Sequence, residues 1–251
     1  RFYECSFENE FVPTIEHLET LVNENTVAIL YNFPSNPTGA TITAEQRDEL
    51  LAFAQRHDIW IITDEVYDRI VFNGEHVSFV GCDDDRVILI NSFSKTYAMT
   101  GWRIGYILSA NREAMAQMIK IQYYITACSN DAMQYAVLAA INEADDYPDE
   151  MCAEFQTRRD LICSRLYAMP GVQCHVPEGA FYVFPKVEVS GMSSEDLAIE
   201  LLKGGVLCSP GSAFGPSGEG HLRFAYTISR EDIARGMDKV ESVLKRLQGQ
   251  A

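Results

Sequence analysis

The amino-acid sequence predicts an α/β fold, with a mainly parallel sheet followed by a smaller α+β domain. Short apolar runs alternate with helical segments through the first part of the chain, as in strand–helix–strand units. These runs are continuously apolar, which is typical of strands covered on both faces. After about residue 170 the pattern changes to short strands, turns and two amphipathic helices.

The sheet is predicted from the first part of the chain. A helix is predicted over 14–22, and another after Thr43, which forms a capping box with Gln46. The four predicted strands are apolar runs that end in polar residues or turns: 27–31, 59–62, 86–90 and 104–108. Because ligands bind beyond the carboxyl ends of strands in such sheets, the polar residues there are candidate site residues.

The remaining chain is predicted to begin with helices and to end in the smaller domain. Three helices are expected: 112–126, 130–143 and 148–168. The predicted strands that follow are 172–176 and 180–184, paired as a hairpin, then 206–208 and 222–228. Ser193 and Ser229 are predicted to cap the last two helices. We place the boundary inside the long helix near residue 155, which gives domains 1–155 and 156–251.

Composition narrows the functional classes. The 251 residues include 36 acidic and 20 basic side chains, a net charge of −16, which argues against a nucleic-acid or anionic-membrane surface. Seven cysteines without CxxC spacing indicate reduced thiols, so we expect a cytoplasmic protein. No metal site is expected, because the acidic run at 83–85 is typical of a solvated turn.

The stretch 92–106 points to a cofactor. Lys95 lies among hydroxyl and aromatic groups, where partial desolvation favours a neutral, nucleophilic amine. Ser92 and Ser94 before it and Arg103 after it are donors that a phosphate monoester needs. An amine that condenses with a carbonyl, beside a phosphate site, indicates pyridoxal 5′-phosphate. The alternative is a surface lysine and arginine at either end of a loop.

Other residues supply what that cofactor needs. Asp64, at a strand end, is placed to keep the pyridine nitrogen protonated, although it could instead cap a helix. Tyr67 and Asn36 can both donate to the phenolic oxygen of the ring. Arg223, on a predicted strand, could bind the carboxylate of an amino-acid substrate in a bidentate manner, or be an ordinary surface arginine.

The motifs together resemble a known family. They are Asn-Pro-Thr-Gly at 36–39, Asp-Glu-Val-Tyr at 64–67, Ser-Phe-Ser-Lys at 92–95, Gly-Trp-Arg-Ile-Gly-Tyr at 101–106, Glu-Gly-Ala-Phe-Tyr at 178–182, Pro-Gly-Ser-Ala-Phe-Gly at 210–215 and Leu-Arg at 222–223. In order and spacing they resemble the fold-type I, class I/II aminotransferases, within the subgroup of aspartate and aromatic transaminases. The resemblance covers essentially the whole chain.

The resemblance implies a role for each site residue. Lys95 would form the Schiff base with pyridoxal phosphate, and Asp64 would pair with the pyridinium nitrogen. Tyr67 and Asn36 would contact the ring oxygen. Three residues would hold the phosphate: Ser92, Ser94 and Arg103. Two would bind the substrate: Asn36 and Arg223.

The implied reaction transfers an amino group from an L-amino acid to a 2-oxo acid. The amino acid displaces Lys95, whose freed amine acts as the general base, and ping-pong kinetics follow. The resemblance also implies a homodimer. No part of 1–251 corresponds to the first third of the family pattern, so we expect a fragment. It would be a cleaved product, a partial chain or one piece of a split protein, with an incomplete sheet and doubtful activity alone.

Two alternatives remain open. The same scaffold could catalyse another reaction, such as a C–S β-lyase or a cyclopropane-forming synthase, because the cofactor supplies the shared chemistry. The chain could also be an inactive fragment that needs a complementary N-terminal segment. The motifs at 64–67 and 179–182 favour a transaminase over a lyase.

Overall fold

The structure is a computed structural model that describes residues 1–82, 84–144 and 146–249. The turn predicted at 83–85 includes Asp83, which lies outside the described residues.

The chain forms two compact units, each assembled from separate stretches. The sheet unit consists of Ile15–Pro34 and Thr41–Cys152. The C-terminal unit consists of Arg1–Thr14, Ser35–Ala40 and Ala153–Ala251. These units are defined by contacts between residues, and the domain boundary near residue 155 stays a prediction.

A four-stranded sheet is the core of the sheet unit. Its strands, in spatial order, are β1 (Ala28–Asn32), β2 (Trp60–Asp64), β3 (Val87–Ser92) and β4 (Gly105–Leu108). The first three are parallel, and β4 pairs antiparallel with β3. This confirms the predicted α/β class with a mainly parallel sheet.

The helices follow the predicted order closely. They are α1 (Ile15–Leu21), α2 (Ala44–His57), α3 (Phe93–Thr96), α4 (Arg112–Thr126), α5 (Asp131–Glu143), α6 (Tyr147–Tyr167), α7 (Ser194–Lys203) and α8 (Arg230–Leu247). The predicted capping box is present: Gln46 N donates to Thr43 Oγ1 at 3.2 Å, and Thr43 N donates to Gln46 Oε1 at 2.9 Å. None of the helices in the described part of the chain combines the length and apolar character that a bilayer-spanning helix requires.

Burial differs between the inner and edge strands. Residues of β3 alternate between buried and half-buried. In β1, Ile29 and Tyr31 are buried, but Leu30 between them is 61% exposed. Among the described residues the prediction that this strand is covered on both faces is therefore wrong, because only the face that carries Ile29 and Tyr31 is buried.

Short strands form the sheets of the C-terminal unit. They are β5 (Val172–Gln173), β6 (Tyr182–Val183), β7 (Lys186–Val187), β8 (Ser209–Pro210) and β9 (Leu222–Ala225). Strand β5 pairs with β7, and β9 pairs with both β6 and β8. The predicted hairpin between 172–176 and 180–184 is thus wrong, and the strand predicted at 206–208 lies instead at β8.

The turn at 177–179 explains why the hairpin does not form. The backbone N–H groups of Glu178 and Gly179 both donate to Gly39 O, at 3.0 and 2.8 Å. Gly39 has a φ of +73°, and a Cβ there would lie 2.4 Å from Pro177 Cβ, so glycine is required. The turn therefore binds the loop at 35–40, and the strands on either side of it pair elsewhere.

The last two helices are capped as predicted. Ser193 Oγ accepts from Asp196 N, and Ser229 Oγ accepts from Asp232 N, both at 3.1 Å. Helix α8 packs one apolar face inward through Ile233, Met237, Val240, Val243 and Leu244.

Candidate active site

The parallel strands bring polar groups together at their carboxyl ends. In the ladder, Asn32 is opposite Asp64, and Asp64 is opposite Ile90. Asn32 Nδ2 donates to the backbone oxygen of Asp64 at 2.9 Å. Because β3 ends two residues further on at Ser92, the short helix α3 that carries Lys95 begins at the same edge of the sheet.

Lys95 lies in the short helix α3, directly after β3. Its Nζ is 5.8 Å from the centroid of the Tyr67 ring. Burial lowers the pKa of Lys95, the positive charge of Arg103 lowers it further, and Asp64 opposes both. A larger fraction of this amine is therefore neutral, and nucleophilic, than in an exposed lysine.

Asp64 has the electrostatic environment of a partly buried acid. Its Oδ1 accepts from Val66 N at 3.2 Å. Burial raises the pKa of Asp64 against this hydrogen bond, the adjacent Glu65 raises it further, and Lys95 lowers it. Asp64 and Lys95 therefore influence each other's protonation, as expected of groups in one site.

Tyr67 is held in a turn beside Lys95. Tyr67 is buried, with 4% of its surface exposed. The turn is closed by a hydrogen bond from Asp68 N to Glu65 O at 3.0 Å, and Ile70 N donates to Tyr67 O at 2.8 Å. The backbone that carries the phenol is therefore fixed on both sides.

The three predicted phosphate-binding residues lie on either side of Lys95 in the sequence. Ser92 Oγ caps α3 by accepting from Ser94 N at 3.3 Å, and Ser94 is buried. Arg103 is exposed and donates from Nη1 to Thr100 O at 2.9 Å. A Cβ at Gly105 would lie 2.6 Å from Asn91 O, so glycine allows β4 to approach β3 here.

A separate group in the C-terminal unit is built around Arg223. Its Nη1 donates to Asn36 Oδ1 at 2.8 Å, and its Nη2 donates to Ser209 Oγ at 3.0 Å. Its Cζ lies 4.6 Å from the ring centroid of Tyr182 and 4.8 Å from that of Phe214. Its Nε is buried and has no hydrogen-bond partner among the described residues. Two side-chain hydrogen bonds and two aromatic rings thus fix this guanidinium, unlike that of an ordinary surface arginine.

The predicted residues thus fall into two groups. The sheet unit contains Asp64, Tyr67, Ser92, Ser94, Lys95 and Arg103, and the C-terminal unit contains Asn36 and Arg223. Sequence reasoning placed Asn36 at the ring oxygen as well as at the substrate. In the structure its amide oxygen binds Arg223, and the ring-oxygen role stays a prediction.

Sequence reasoning missed the neighbours that orient these residues. Around Arg223 they are Tyr182, Phe214 and Ser209. Beside Tyr67 they are the carboxylates Glu65 and Asp68. A usable signal existed for Glu65, since alternation along β2 places it on the same face as buried Thr63.

The residues of the sheet unit fit pyridoxal phosphate by the chemistry of their side chains. They provide an amine of lowered pKa, a carboxylate that influences it, a phenol, two hydroxyls and a guanidinium. These are the groups needed to hold an aldehyde, a pyridine nitrogen, a ring oxygen and a phosphate. Among the described residues, no three His, Cys, Asp or Glu side chains are grouped as metal ligands.

Comparison with known proteins identifies the family. The family model described as "Aminotransferase class I and II" matches residues 1–240. The aromatic-amino-acid aminotransferase 2 of Thermococcus litoralis is 39% identical, over 95% of this chain and 62% of that protein. An aspartate aminotransferase of Pyrococcus abyssi is 37% identical over the same shares.

Solved structures agree. The aromatic aminotransferase from Pyrococcus horikoshii OT3 superposes with a TM-score of 0.91 at 36% identity, over 95% of this chain and 65% of that one. The chain thus spans about 62% of the length of the curated relatives named above. It belongs to the class I and II aminotransferase family, whose members depend on pyridoxal phosphate.

Proposed function

We propose that this polypeptide takes part in transferring an amino group between an L-amino acid and a 2-oxo acid. The observation that carries the proposal is the environment of Lys95, a partly buried amine beside Tyr67 whose protonation is coupled to Asp64. The family membership and the aminotransferase names of its relatives support it.

Each residue of the sheet unit has a defined task. When bound, pyridoxal phosphate supplies an aldehyde that captures amines and a ring that withdraws electrons. Lys95 would hold it through Nζ, and the free Lys95 amine would take the proton from the substrate α-carbon. Asp64 would keep the ring nitrogen protonated, and Tyr67 would donate to the ring oxygen. The phosphate would be held by Ser92, Ser94 and Arg103.

The C-terminal unit provides the substrate carboxylate site. Arg223 carries a permanent positive charge, and its side chain is fixed by Asn36, Ser209 and two aromatic rings. An arginine already held in one orientation loses little side-chain entropy when it binds a carboxylate. Both reaction partners, the amino acid and the 2-oxo acid, present this same group.

A second candidate is that this chain catalyses the reaction only when it is associated with a further polypeptide. All four residues of β4 are exposed, and large apolar side chains are exposed on α4 and α5. Such surfaces in the sheet unit favour a protein partner. A homodimer, a separate N-terminal segment and a cytoplasmic location stay predictions.

The test uses the purified chain incubated with pyridoxal phosphate. We expect an absorbance band that borohydride removes, with the label fixed at Lys95 by peptide mass spectrometry. Lys95→Ala abolishes the label, while Lys120→Ala, at an exposed lysine of the same unit, leaves it unchanged. No labelling of Lys95 in the parent chain would refute cofactor binding by this chain.

Reaction type is tested with an amino acid and a 2-oxo acid together. Formation of the new amino acid only when both are present supports the proposal. Pyruvate and ammonia from cysteine conjugates without an acceptor would instead identify a C–S β-lyase. Labelled but inactive chain would support the second candidate, because binding would then occur without turnover.

A further inference from the structure

Glu65 lies next to the proposed cofactor carboxylate but faces away from it. Successive residues of an extended strand point to opposite faces, so Glu65 shares a face with Thr63 and Asp64 takes the other. The side chain of Glu65 is 3% exposed. Its backbone N–H donates to Ile90 O at 2.9 Å, which extends the pairing with β3 beyond the end of β2.

The buried carboxylate of Glu65 is saturated with hydrogen bonds. Ser78 Oγ donates to Oε2 at 2.6 Å, and His76 Nε2 lies 2.7 Å from the same oxygen. Phe79 N and Thr63 Oγ1 donate to Oε1 at 3.0 and 3.2 Å. Burial alone would raise the pKa of Glu65, but the bonds from His76, Phe79 and Ser78 outweigh it, and the pKa is lowered.

Asp68 makes the corresponding connection on the other side of Tyr67. Its Oδ2 accepts from Asn91 Nδ2 at 2.8 Å, and Asn91 is a buried residue of β3. Its Oδ1 lies 3.5 Å from Thr96 Oγ1, the residue that follows Lys95. Asp68 thus connects the Tyr67 turn to the strand and to the helix that carry the lysine.

The two carboxylates therefore constrain the Tyr67 turn from both ends. Glu65 ties it to residues 76–79, and Asp68 ties it to β3 and α3. Between them the turn is closed by the Asp68 N to Glu65 O bond. Both carboxylates accept hydrogen bonds from groups of this chain, so a role in catalysis would act through other residues.

We propose that Glu65 and Asp68 are positioning residues, which hold Tyr67 and the Lys95 amine in the arrangement that the proposed function requires. The catalytic purpose of this positioning rests on the proposed function. The hydrogen bonds themselves can be tested in the chain without cofactor. A buried carboxylate with four donors is expensive to disturb, because each donor left unpaired loses its hydrogen bond inside the protein.

The test measures the Lys95 amine directly. In the chain without cofactor, 2,4,6-trinitrobenzenesulfonate modifies lysines only in the neutral form, and the rate at Lys95 is followed against pH by peptide mass spectrometry. Glu65→Gln replaces one accepting oxygen with an amide N–H₂ group, which then faces hydrogen-bond donors of the chain. The lost hydrogen bonds should loosen the Tyr67 turn. Because burial is the largest cause that lowers the pKa of Lys95, a loosened turn hydrates the amine, and the midpoint rises by about 0.5 pH units or more.

A matched control separates positioning from general stability. Leu50→Ala removes a buried side chain of α2, which carries neither acid, and destabilises the same unit. It should leave the Lys95 midpoint unchanged. Ser78→Ala removes one donor to Glu65 and should give a smaller upward shift, and Asp68→Asn a shift in the same direction. These two variants decide the question if Glu65→Gln does not fold.

The outcomes are distinct for the two proposals. Parent-like midpoints in Glu65→Gln, Asp68→Asn and Ser78→Ala, or an equal shift in Leu50→Ala, would overturn the positioning role. Borohydride labelling with pyridoxal phosphate is read in the same proteins. If the parent chain takes no label but the three variants show the predicted midpoint shifts, cofactor binding by this chain would be refuted and the positioning role would stand.

Discussion

At the scale of single residues, the site depends on charges that act on one another. Lys95 is influenced by Arg103, which repels a proton on the amine, and by Asp64, which attracts one. Burial raises the pKa of Asp64, the charge of Glu65 raises it further, and the charge of Lys95 lowers it. A substitution at one of these residues should therefore be visible at the others.

Asp64→Asn tests this coupling. Asp64 raises the pKa of Lys95 by attraction, so its removal should lower the pH at which Lys95 becomes reactive. The trinitrophenylation profile of the chain without cofactor measures that pH. The opposite shift, or none, would contradict the attraction between Asp64 and the Lys95 ammonium. The variant should also bind pyridoxal phosphate more weakly, which absorbance titration checks.

Arg223→Lys tests the proposed carboxylate site. A lysine keeps the charge but cannot donate to Asn36 and Ser209 while presenting a planar fork to a carboxylate. We expect a loss of about 1.5–3 kcal/mol in substrate binding, roughly 10- to 150-fold, seen mainly as a higher KM in the transaminating protein. Arg165→Lys, at a surface ion pair with Asp238, is the control and should change KM little.

At the scale of elements, aromatic packing in the C-terminal unit surrounds a buried histidine. The His221 ring stacks on Phe184 with centroids 4.9 Å apart and planes at 9°. Its Nδ1 lies 3.2 Å from Glu219 O, and its Nε2 is buried with no partner among the described residues. Burial lowers the pKa of His221, and the charge of Lys186 adds to the effect.

This histidine predicts a pH dependence of stability. Its pKa is lower in the folded than in the unfolded chain, so the unfolded chain binds more protons as pH falls below about 6.5. The free energy of unfolding should therefore decrease from pH 7.5 to pH 5. In His221→Phe, which keeps a ring against Phe184, urea titrations at the two pH values should differ by less. An undiminished difference would rule out His221 as its source.

The sequence was sufficient to predict elements that depend on neighbouring residues. It was insufficient to predict strand pairing between distant parts of the chain. The capping box at Thr43 and the caps at Ser193 and Ser229 depend on neighbours three residues away, and all three are present. The hairpin prediction failed because the turn at 177–179 binds Gly39, far away in sequence. The site residues were proposed from motifs, but the contacts of Glu65 with 76–79 depend on a loop without a sequence signature.

At the scale of the whole molecule, the described sheet unit exposes many apolar side chains. Exposed apolar side chains on α4 and α5 are Ile119, Ile121, Tyr123, Tyr124, Ile125, Tyr135, Leu138 and Ile141. Tyr124 is 77% exposed and Ile125 70%. Exposed apolar side chains in such number on two helices are typical of surfaces that contact another protein.

We therefore expect the purified chain to bind a hydrophobic dye such as ANS while folded. The double variant Tyr124→Glu with Ile125→Glu should reduce the dye fluorescence. It should change the free energy of unfolding by only about 0.5 kcal/mol, because both side chains are exposed. Undiminished fluorescence in this variant would place the dye elsewhere.

The hydrogen bond between Arg223 and Asn36 joins residues 187 positions apart in the sequence. A ribosome adding about 5–20 residues per second needs roughly 10–40 s between these two codons. Until then Asn36 lacks its guanidinium partner, so this hydrogen bond cannot form before residue 223 has been translated.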